Sequence, residues 1–531
     1  MRDRTERFSL TLAFLFVLGP ALSVFAQSAP SLAQSAVTAA AGQSASTVRR
    51  LSIDEAVALA LERNLGIQIE RLNPRIQDVA IAQARSFWVP TVSSTLSNNA
   101  TTNQPNNAFS GGLTRVTDSR FTSGFGVSQV LPTGANYTVN WNSFRASSTN
   151  VFNSYDPQLS STVSLNVTQP LLRNFKIDNA RQQLEVSRKD RDTSDLQLRS
   201  TIAATTRNVK NAYWELAYQI ASLNAAQQSL DLAKRVLGDN EKRVQIGTMA
   251  PIDIVEAQSE VARNEEAVIV AEAAIERAED SLRALILGPA TAESWSTRLE
   301  PTEEPAFQAR AVDVDAAVKR AIDNRVDVQI AKSNIERDDI NIRYYKNQTM
   351  PDVNANLTYS SSAVGGAQLS PVTSLNAGAV QRSIIANRSY GSVLGDVFSN
   401  AFPVWTLGVT VSYPIGASTA EGNLARTRLQ SEQAQTELKN LELQITTQVR
   451  DVARQVQTNQ KRVDTTRVAR GLAERRLEAA EKKFAAGIET SFFVFQAQRD
   501  LSQALSNYVR AVADFNKSLV DLEAVQEAPL R

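Results

Sequence analysis

The sequence of 531 residues contains no cysteine and no histidine. Thiolate and imidazole metal sites, a cysteine nucleophile, a histidine-activated serine and imidazole acid–base catalysis are therefore excluded. Carboxylate-only chemistry remains open to an enzyme but most familiar designs are gone, and no residue is assigned a catalytic, cofactor-binding or metal-binding role. Neither sign of charge dominates: 56 Lys+Arg against 55 Asp+Glu give a formal charge of +1. That balance offers no general attraction to nucleic acid. Long apolar runs are missing too. The stretch Phe8 to Leu18 falls well short of the roughly 20 residues needed to span a bilayer, and no other stretch comes closer. A membrane location would therefore require a barrel. Hydrophobic residues still make up 43% of the chain and charged residues 21%, enough apolar material for a core.

Arg2, Arg4 and Arg7 precede the Phe8–Leu18 run, and small residues then lead to Val24-Phe25-Ala26. This pattern predicts a signal peptide over 1–26, cleaved after Ala26. Residues 27–48 are Ala/Ser/Gln/Thr-rich and read as a flexible leader.

The remainder is written twice. A shift of 261 residues brings Asp54, Ala56, Ala60, Pro90 and Val92 onto Asp315, Ala317, Ala321, Pro351 and Val353. A shift of 240 brings Glu241, Gly247, Ala257 and Leu282 onto Glu481, Gly487, Ala497 and Leu522. Helix breaks fall at matching places, which marks an internal duplication. Each half has short helices (49–90; 311–351), a strand region (91–170; 352–414) and long helices (171–288; 415–531), with a linker at 289–310.

In Trp405–Tyr413 the odd positions are Trp, Leu, Val, Val and Tyr, and the even ones Thr, Gly, Thr and Ser. Segments 91–97, 161–169 and 352–360 alternate likewise, as does a candidate hairpin at 121–130 and 136–144 around Pro132-Thr133-Gly134. Period two gives one apolar and one polar sheet face. The polar face is almost uncharged, and Trp88, Trp141, Trp405 and Tyr413 stand near strand ends, as interfacial girdles do. So few strands cannot close a barrel in one chain, and open edges in lipid are prohibitive, so several copies must share it. The loop 361–404, rich in Ser, Gly and Ala, is expected on the outer side.

From Ile177 to Val236 there is neither proline nor glycine, and from Leu424 to Ala485 only Gly471 interrupts. Each stretch predicts a helix of about 90 Å, too long for a globular core, so these helices must pack as parallel staves. Helices at 65–88 and 252–286, and at 326–349 and 491–526, would stack end to end beside them, with turns at 237–251 and 484–490. The fold class is thus mostly α: a duplicated helical coiled-coil barrel joined to a shared membrane β-barrel.

The ordered set resembles the TolC family of outer-membrane efflux proteins over nearly all of the mature chain. It is carried by Leu51–Asn64, by Thr168-Gln169-Pro170 and Ser412-Tyr413-Pro414, and by Arg243–Gln258 and Lys483–Gln498. The resemblance implies a homotrimer in the lipid bilayer of the outer membrane, with a barrel of four strands per protomer and a periplasmic tunnel. It also implies docking to a periplasmic adaptor (membrane fusion) protein and an inner-membrane transporter, in tripartite efflux or type I secretion. The docking tips would be Ile246, Gly247 and Thr248 with Ala486, Gly487 and Ile488. Where the family places aperture acids, this chain has Phe493 and Gln496. The equivalents in the first repeat are Asp253 and Glu256, and Glu489 stands where a basic partner is expected. The expectation is an aperture lined by Phe492, Phe493 and Phe495 that gates by size and dewetting, with packing between helices as the alternative for these rings. The extra hairpin is expected at the surface or outer rim of a twelve-stranded barrel, with eighteen strands as the other possibility. A poreless periplasmic coiled-coil scaffold and a standalone diffusion porin are the readings from other classes.

Overall fold

The computed structural model describes residues 48–104, 114–288, 295, 297–303, 306–372 and 382–527, so the expected signal peptide and almost all of the leader lie outside the described residues. The first repeat runs β1 (Val48–Leu51), α1 (Ile53–Arg63), α2 (Leu65–Glu70), α3 (Leu72–Ser86), β2 (Thr91–Asn103), β3 (Val116–Val130), β4 (Asn136–Ser148), β5 (Tyr155–Pro170), α4 (Asn179–Gln245) and α5 (Ile252–Ile286). After β6 (Arg298–Pro301), the second runs α6 (Val314–Asn324), α7 (Val326–Gln348), β7 (Asp352–Leu369), β8 (Ile384–Arg388), α8 (Tyr390–Phe398), β9 (Pro403–Ser412), α9 (Thr419–Ala485) and α10 (Ser491–Val525).

The duplication is metrical. The opening helices α1 and α6 have 11 residues each, the long helices α4 and α9 have 67 each, and their return partners α5 and α10 have 35 each. Caps recur at equivalent positions with different chemistry. Ser52 accepts the Glu55 N–H at 3.2 Å ahead of α1, and Asp313 accepts the Ala316 N–H at 3.1 Å ahead of α6. Asp178 accepts the Arg181 N–H at 2.8 Å ahead of α4, whereas Ser418 and Glu421 form a reciprocal capping box ahead of α9. Sixty-seven residues make a helix of about 100 Å.

The staves lie four abreast. Towards the turns, α4 packs against α5 and α10, and α10 against α9; towards the sheet, α4 packs against α3 and α7, and α7 against α9. Fully buried Ala56 and Ala60, and their counterparts Ala317 and Ala321, let the short helices approach the long ones closely. One core gathers Tyr213, Leu216, Ile275 and Leu282 under the parallel pair β1–β6, where Leu51 and Leu299 are buried. A second gathers Val456, Val463, Val512 and Phe515, with Phe307 against Phe515 at a ring separation of 5.1 Å.

Long strands form one antiparallel sheet in the order β2-β3-β4-β5-β7-β9, with short β8 added to the far end of β7. Here the expectation of a surface or rim hairpin is overturned. The strands β3 and β4 lie inside the wall, paired along their lengths with β2 and β5. Strands β2 to β5 form a meander in which each pairs with the next along the chain, so the place of the hairpin follows from chain order, and it was the resemblance to a four-strand family that drew it outside the wall.

Other expectations also change. The helix expected at 65–88 breaks at Arg71, because Pro74 has no N–H to offer the Glu70 carbonyl. The helix expected to end at Val236 continues through Gly238 to Gln245, since one interior glycine costs only about 1 kcal/mol and packing of Val236 and Leu237 outweighs it. The segment 361–404 is not a plain loop; it holds the end of β7, β8 and α8.

Candidate functional site: the sheet faces and the helix tips

Register assigns every strand residue to a face. Opposed positions Val92–Val127–Val139–Leu165–Tyr359–Trp405 run across all six long strands on one side. Leu96, Phe125, Trp141, Val163, Leu357, Leu407, Val409 and Val411 share that side by the period of two, which makes it the apolar face. Trp141 also donates its indole N–H to Ser161 at 2.8 Å, satisfying its polar end. The opposite face carries Thr95, Ser97, Asn140, Asn142, Ser164, Asn166, Asn356, Thr358, Thr406 and Thr410. Gly124 and Gly126 lie there, and Asn142 and Asn140 fold over them so closely that a Cβ would meet their Oδ1 atoms at 2.7 and 2.6 Å. The result is a smooth wall of hydroxyl and amide groups. Charge enters at the two ends: Asp352 stands at the near end, and at the far end Asp118 lies with Arg120, which stacks on the Phe144 ring at 3.6 Å.

On the apolar face, α8 lies against the far end of the sheet. Val393 and Val397 bury against Leu159, Val163 and Ala363. Gly365 permits this approach, since a Cβ there would meet Val393 at 2.4 Å. Ser361 donates to the Val397 carbonyl at 2.9 Å and Tyr390 to Ser143 at 2.8 Å. Sequence reading missed this helix; the apolar pair Val393 and Val397 at spacing four was its only signal.

At the near end, the sheet is bolted to the staves. Asn347 accepts the Asn174 N–H at 2.7 Å, Gln348 donates to Asn174 Oδ1 at 2.6 Å, and Arg173 donates to Gln348 at 2.8 Å.

The opposite ends of the staves are two equivalent turns. Gly247 and Gly487 take φ of +77° and +73°, and the next N–H groups, of Thr248 and Ile488, reach back to Arg243 and Lys483 carbonyls at 2.9 Å each. Both are Schellman endings, which require a left-handed residue that glycine supplies without strain. Ile246 and Ile488 project into solvent, each 74% exposed; Ala486, at the end of α9, bonds back to Lys482. The two turns are tied together by Arg243, which donates to the Phe484 carbonyl at 3.2 Å and stacks on its ring at 4.2 Å. Neither partner stands out in the sequence.

The expected aperture residues separate. Phe492 and Phe493 are half exposed and meet edge-to-face at 5.7 Å. Phe495 is 2% exposed and packs with Val236, Ala257, Leu477 and Val494 between helices, so it is removed from the set of lining candidates. Gln496 donates to Asp500 at 3.1 Å. Glu489 finds its basic partner in Lys483 at 2.6 Å, within its own turn. Asp253 is half-buried beside Asn240, and Glu256 is exposed.

Two further ionic links cross between helices. Buried Glu260 of α5 accepts from Arg499 of α10 at 3.1 Å and pairs with Arg263 at 3.3 Å, beside a cleft of about 580 Å³ between α4, α5 and α10. Glu215 of α4 binds Lys517 of α10; burial pushes the Glu215 carboxyl up, but the Lys517 hydrogen bond and charge outweigh it and hold it below the usual carboxylate range. Among the described residues there is no cluster of potential metal ligands and no helix long and apolar enough to cross a membrane.

Residues 56–288 and 317–525 match the family model described as outer membrane efflux protein. Among curated proteins, none matches. Solved structures with the same fold include the outer membrane protein VceC of Vibrio cholerae, at 15% identity and a TM-score of 0.59, over 89% of this chain and 95% of that one. The open state of the MtrE outer membrane channel of Neisseria gonorrhoeae aligns at 16% identity and a TM-score of 0.60, over 90% and 89%. The CmeC outer membrane channel of Campylobacter jejuni aligns at 13% identity and a TM-score of 0.59, over 89% and 85%.

Proposed function

Because this chain belongs to the outer membrane efflux protein family, we propose that it is the passive outer-membrane duct of a tripartite efflux or type I secretion assembly, working as a homotrimer. Its place is the outer membrane, with the helical tunnel in the periplasm. The observation that carries the reading is a sheet with one apolar face and one polar face charged only at its ends, continued end-on into four abreast staves of about 100 Å. The apolar face meets lipid. The polar face lines water, offers weak hydrogen bonds to any solute, and along its middle has no charge with which to hold cargo. Energy and selection then belong to an inner-membrane transporter, reached through a periplasmic adaptor.

The adaptor would dock on the turns around Ile246-Gly247-Thr248 and Ala486-Gly487-Ile488. Exposed isoleucines beside rigid glycine endings give it an apolar, preorganised contact. The aperture would be closed by Phe492 and Phe493, whose exposed rings narrow and dewet the bore; Asp253 and Glu256, Gln496 and the Glu489–Lys483 pair surround it.

Three measurements test this. Cysteines replacing Ile246 and Ile488 should cross-link in cells to a periplasmic adaptor, identified by mass spectrometry; a purified mature protein that stays monomeric in water without detergent defeats the duct reading altogether. In planar bilayers, Phe493→Ser should raise open-state conductance or open probability, and an unchanged trace removes Phe493 from the gate.

A further inference from the structure

We propose that the membrane barrel closes by pairing β9 of one copy with β2 of the next in one defined register, giving an eighteen-stranded wall whose bore equals that of the tunnel. The inference rests on the duct reading and goes beyond it in strand number, seam and width.

Three observations lead to it. First, six long strands form one sheet with two free edges, β2 and β9, and all five neighbour pairings are antiparallel. An even number of alternating strands leaves β2 and β9 running oppositely. Copies related by rotation therefore meet edge to edge as an antiparallel pair, and unpaired edges do not persist in lipid. Three copies give eighteen strands, because β3 and β4 are within the wall.

Second, the repeat supplies the register. Within the chain, β5 pairs with β7 through Val167–Leu357, Asn166–Thr358 and Thr168–Asn356. The ends of β5 and β9 correspond through Pro170 and Pro414, and β7 corresponds to β2 through Val353 and Val92. Carrying the pairing across gives Val411 opposite Leu96, Thr410 opposite Ser97 and Ser412 opposite Thr95. Every transferred pair joins apolar face to apolar face or polar to polar. A slip of one residue would set them all against each other, so the agreement is an independent check.

Third, the perimeters agree. Eighteen strands spaced about 4.8 Å apart and tilted about 40° make a ring of about 110 Å. Four staves per copy make twelve helices, which at an interaxial distance of about 9 Å also make about 110 Å. Twelve strands would give about 75 Å, a step inward at the membrane. The inserted hairpin removes that step, so the bore stays wide from sheet to staves and cargo of polymer size meets its narrowing at the tips.

The absence of native cysteine makes the test clean. In the full-length protein in native outer membranes, the Ser97→Cys/Thr410→Cys variant should form disulfide-linked dimers and trimers on oxidation. Ser97→Cys/Thr406→Cys, displaced by four residues, should not. Single cysteines at Asn140 and Asn142 should react with a membrane-impermeant maleimide, while those at Val139 and Trp141 should not. If all four react alike, the hairpin stands outside the wall and the eighteen-stranded barrel is wrong. If the protein runs as an oligomer yet only the displaced pair cross-links, or neither does, the seam is wrong and the duct survives. If it is a soluble monomer, the duct reading itself has failed.

Discussion

The two repeats agree in their staves and disagree at both ends. The opening, long and return helices match residue for residue in length, caps recur at equivalent positions, and each turn closes on a left-handed glycine. At the membrane end, the first repeat has an inserted hairpin in the wall, and the second has a helix laid on the apolar face. At the tips, Ile252, Asp253 and Glu256 of the first repeat stand where the second has Phe492, Phe493 and Gln496. The difference teaches where the constraint lies. Staves packed side by side must be equal in length and buried along shared faces, whereas strand number and tip chemistry can change without disturbing them.

The strongest way to strain that equivalence is to empty its core. Phe515 and its counterpart Ile275 are both buried. Phe515→Ala should destabilise by about 3–5 kcal/mol and Ile275→Ala by about 2–5 kcal/mol, seen as lower melting temperatures in detergent. A tolerant Ile275→Ala would mean the first repeat leans on the second. Next come the tips. Gly247→Val and Gly487→Val should each cost roughly 1–2 kcal/mol, because a branched side chain resists positive φ. The loss should be local: faster proteolysis at the altered turn with the global melt unchanged, and alike in both repeats.

Much of this was legible in advance, for definite reasons. The staves were readable because a helix is written locally: Pro90 and Pro351 end helices, Gly247 and Gly487 turn them, and long runs between lack breakers. Strand faces were readable from alternation. The outer stretches of β2 and β7 were not, since Asn98–Asn103 and Ser360–Ser362 are polar on both sides and carry no period. The place of the hairpin was legible in chain order, since β2 to β5 each pair with the next, and was missed because a family resemblance with four strands left no room for it; Phe495 was misplaced because three aromatics in four residues do not announce which one faces the core. Arg243 and Phe484 form their link only once the two turns are level.

Smaller effects sharpen the comparison further. Asp178→Ala and Ser418→Ala should each cost about 1 kcal/mol in thermal melts; an unequal pair would show that the capping box adds to the single cap. The smallest difference is electrostatic. Glu215 is paired with Lys517, while its counterpart in the second repeat is Gln455, which cannot ionise. The Glu215 carboxyl is depressed in the folded state. Its contribution is complete above the ordinary carboxylate pKa and is lost as pH falls through the lower folded value. Melting temperature should therefore fall in that acid range, and Lys517→Met should flatten that part of the curve; an identical acid slope in the variant would assign the loss elsewhere.

The matched lengths of 67 and 35 residues have one more consequence. The molecule behaves as a ruler whose gradations can only be moved in concert. Adding seven residues, two turns or about 10 Å, to α4 alone would push one turn past its neighbour and part Arg243 from Phe484. To reach a more distant partner, a lineage must lengthen α4, α5, α9 and α10 together, four insertions for one change of span.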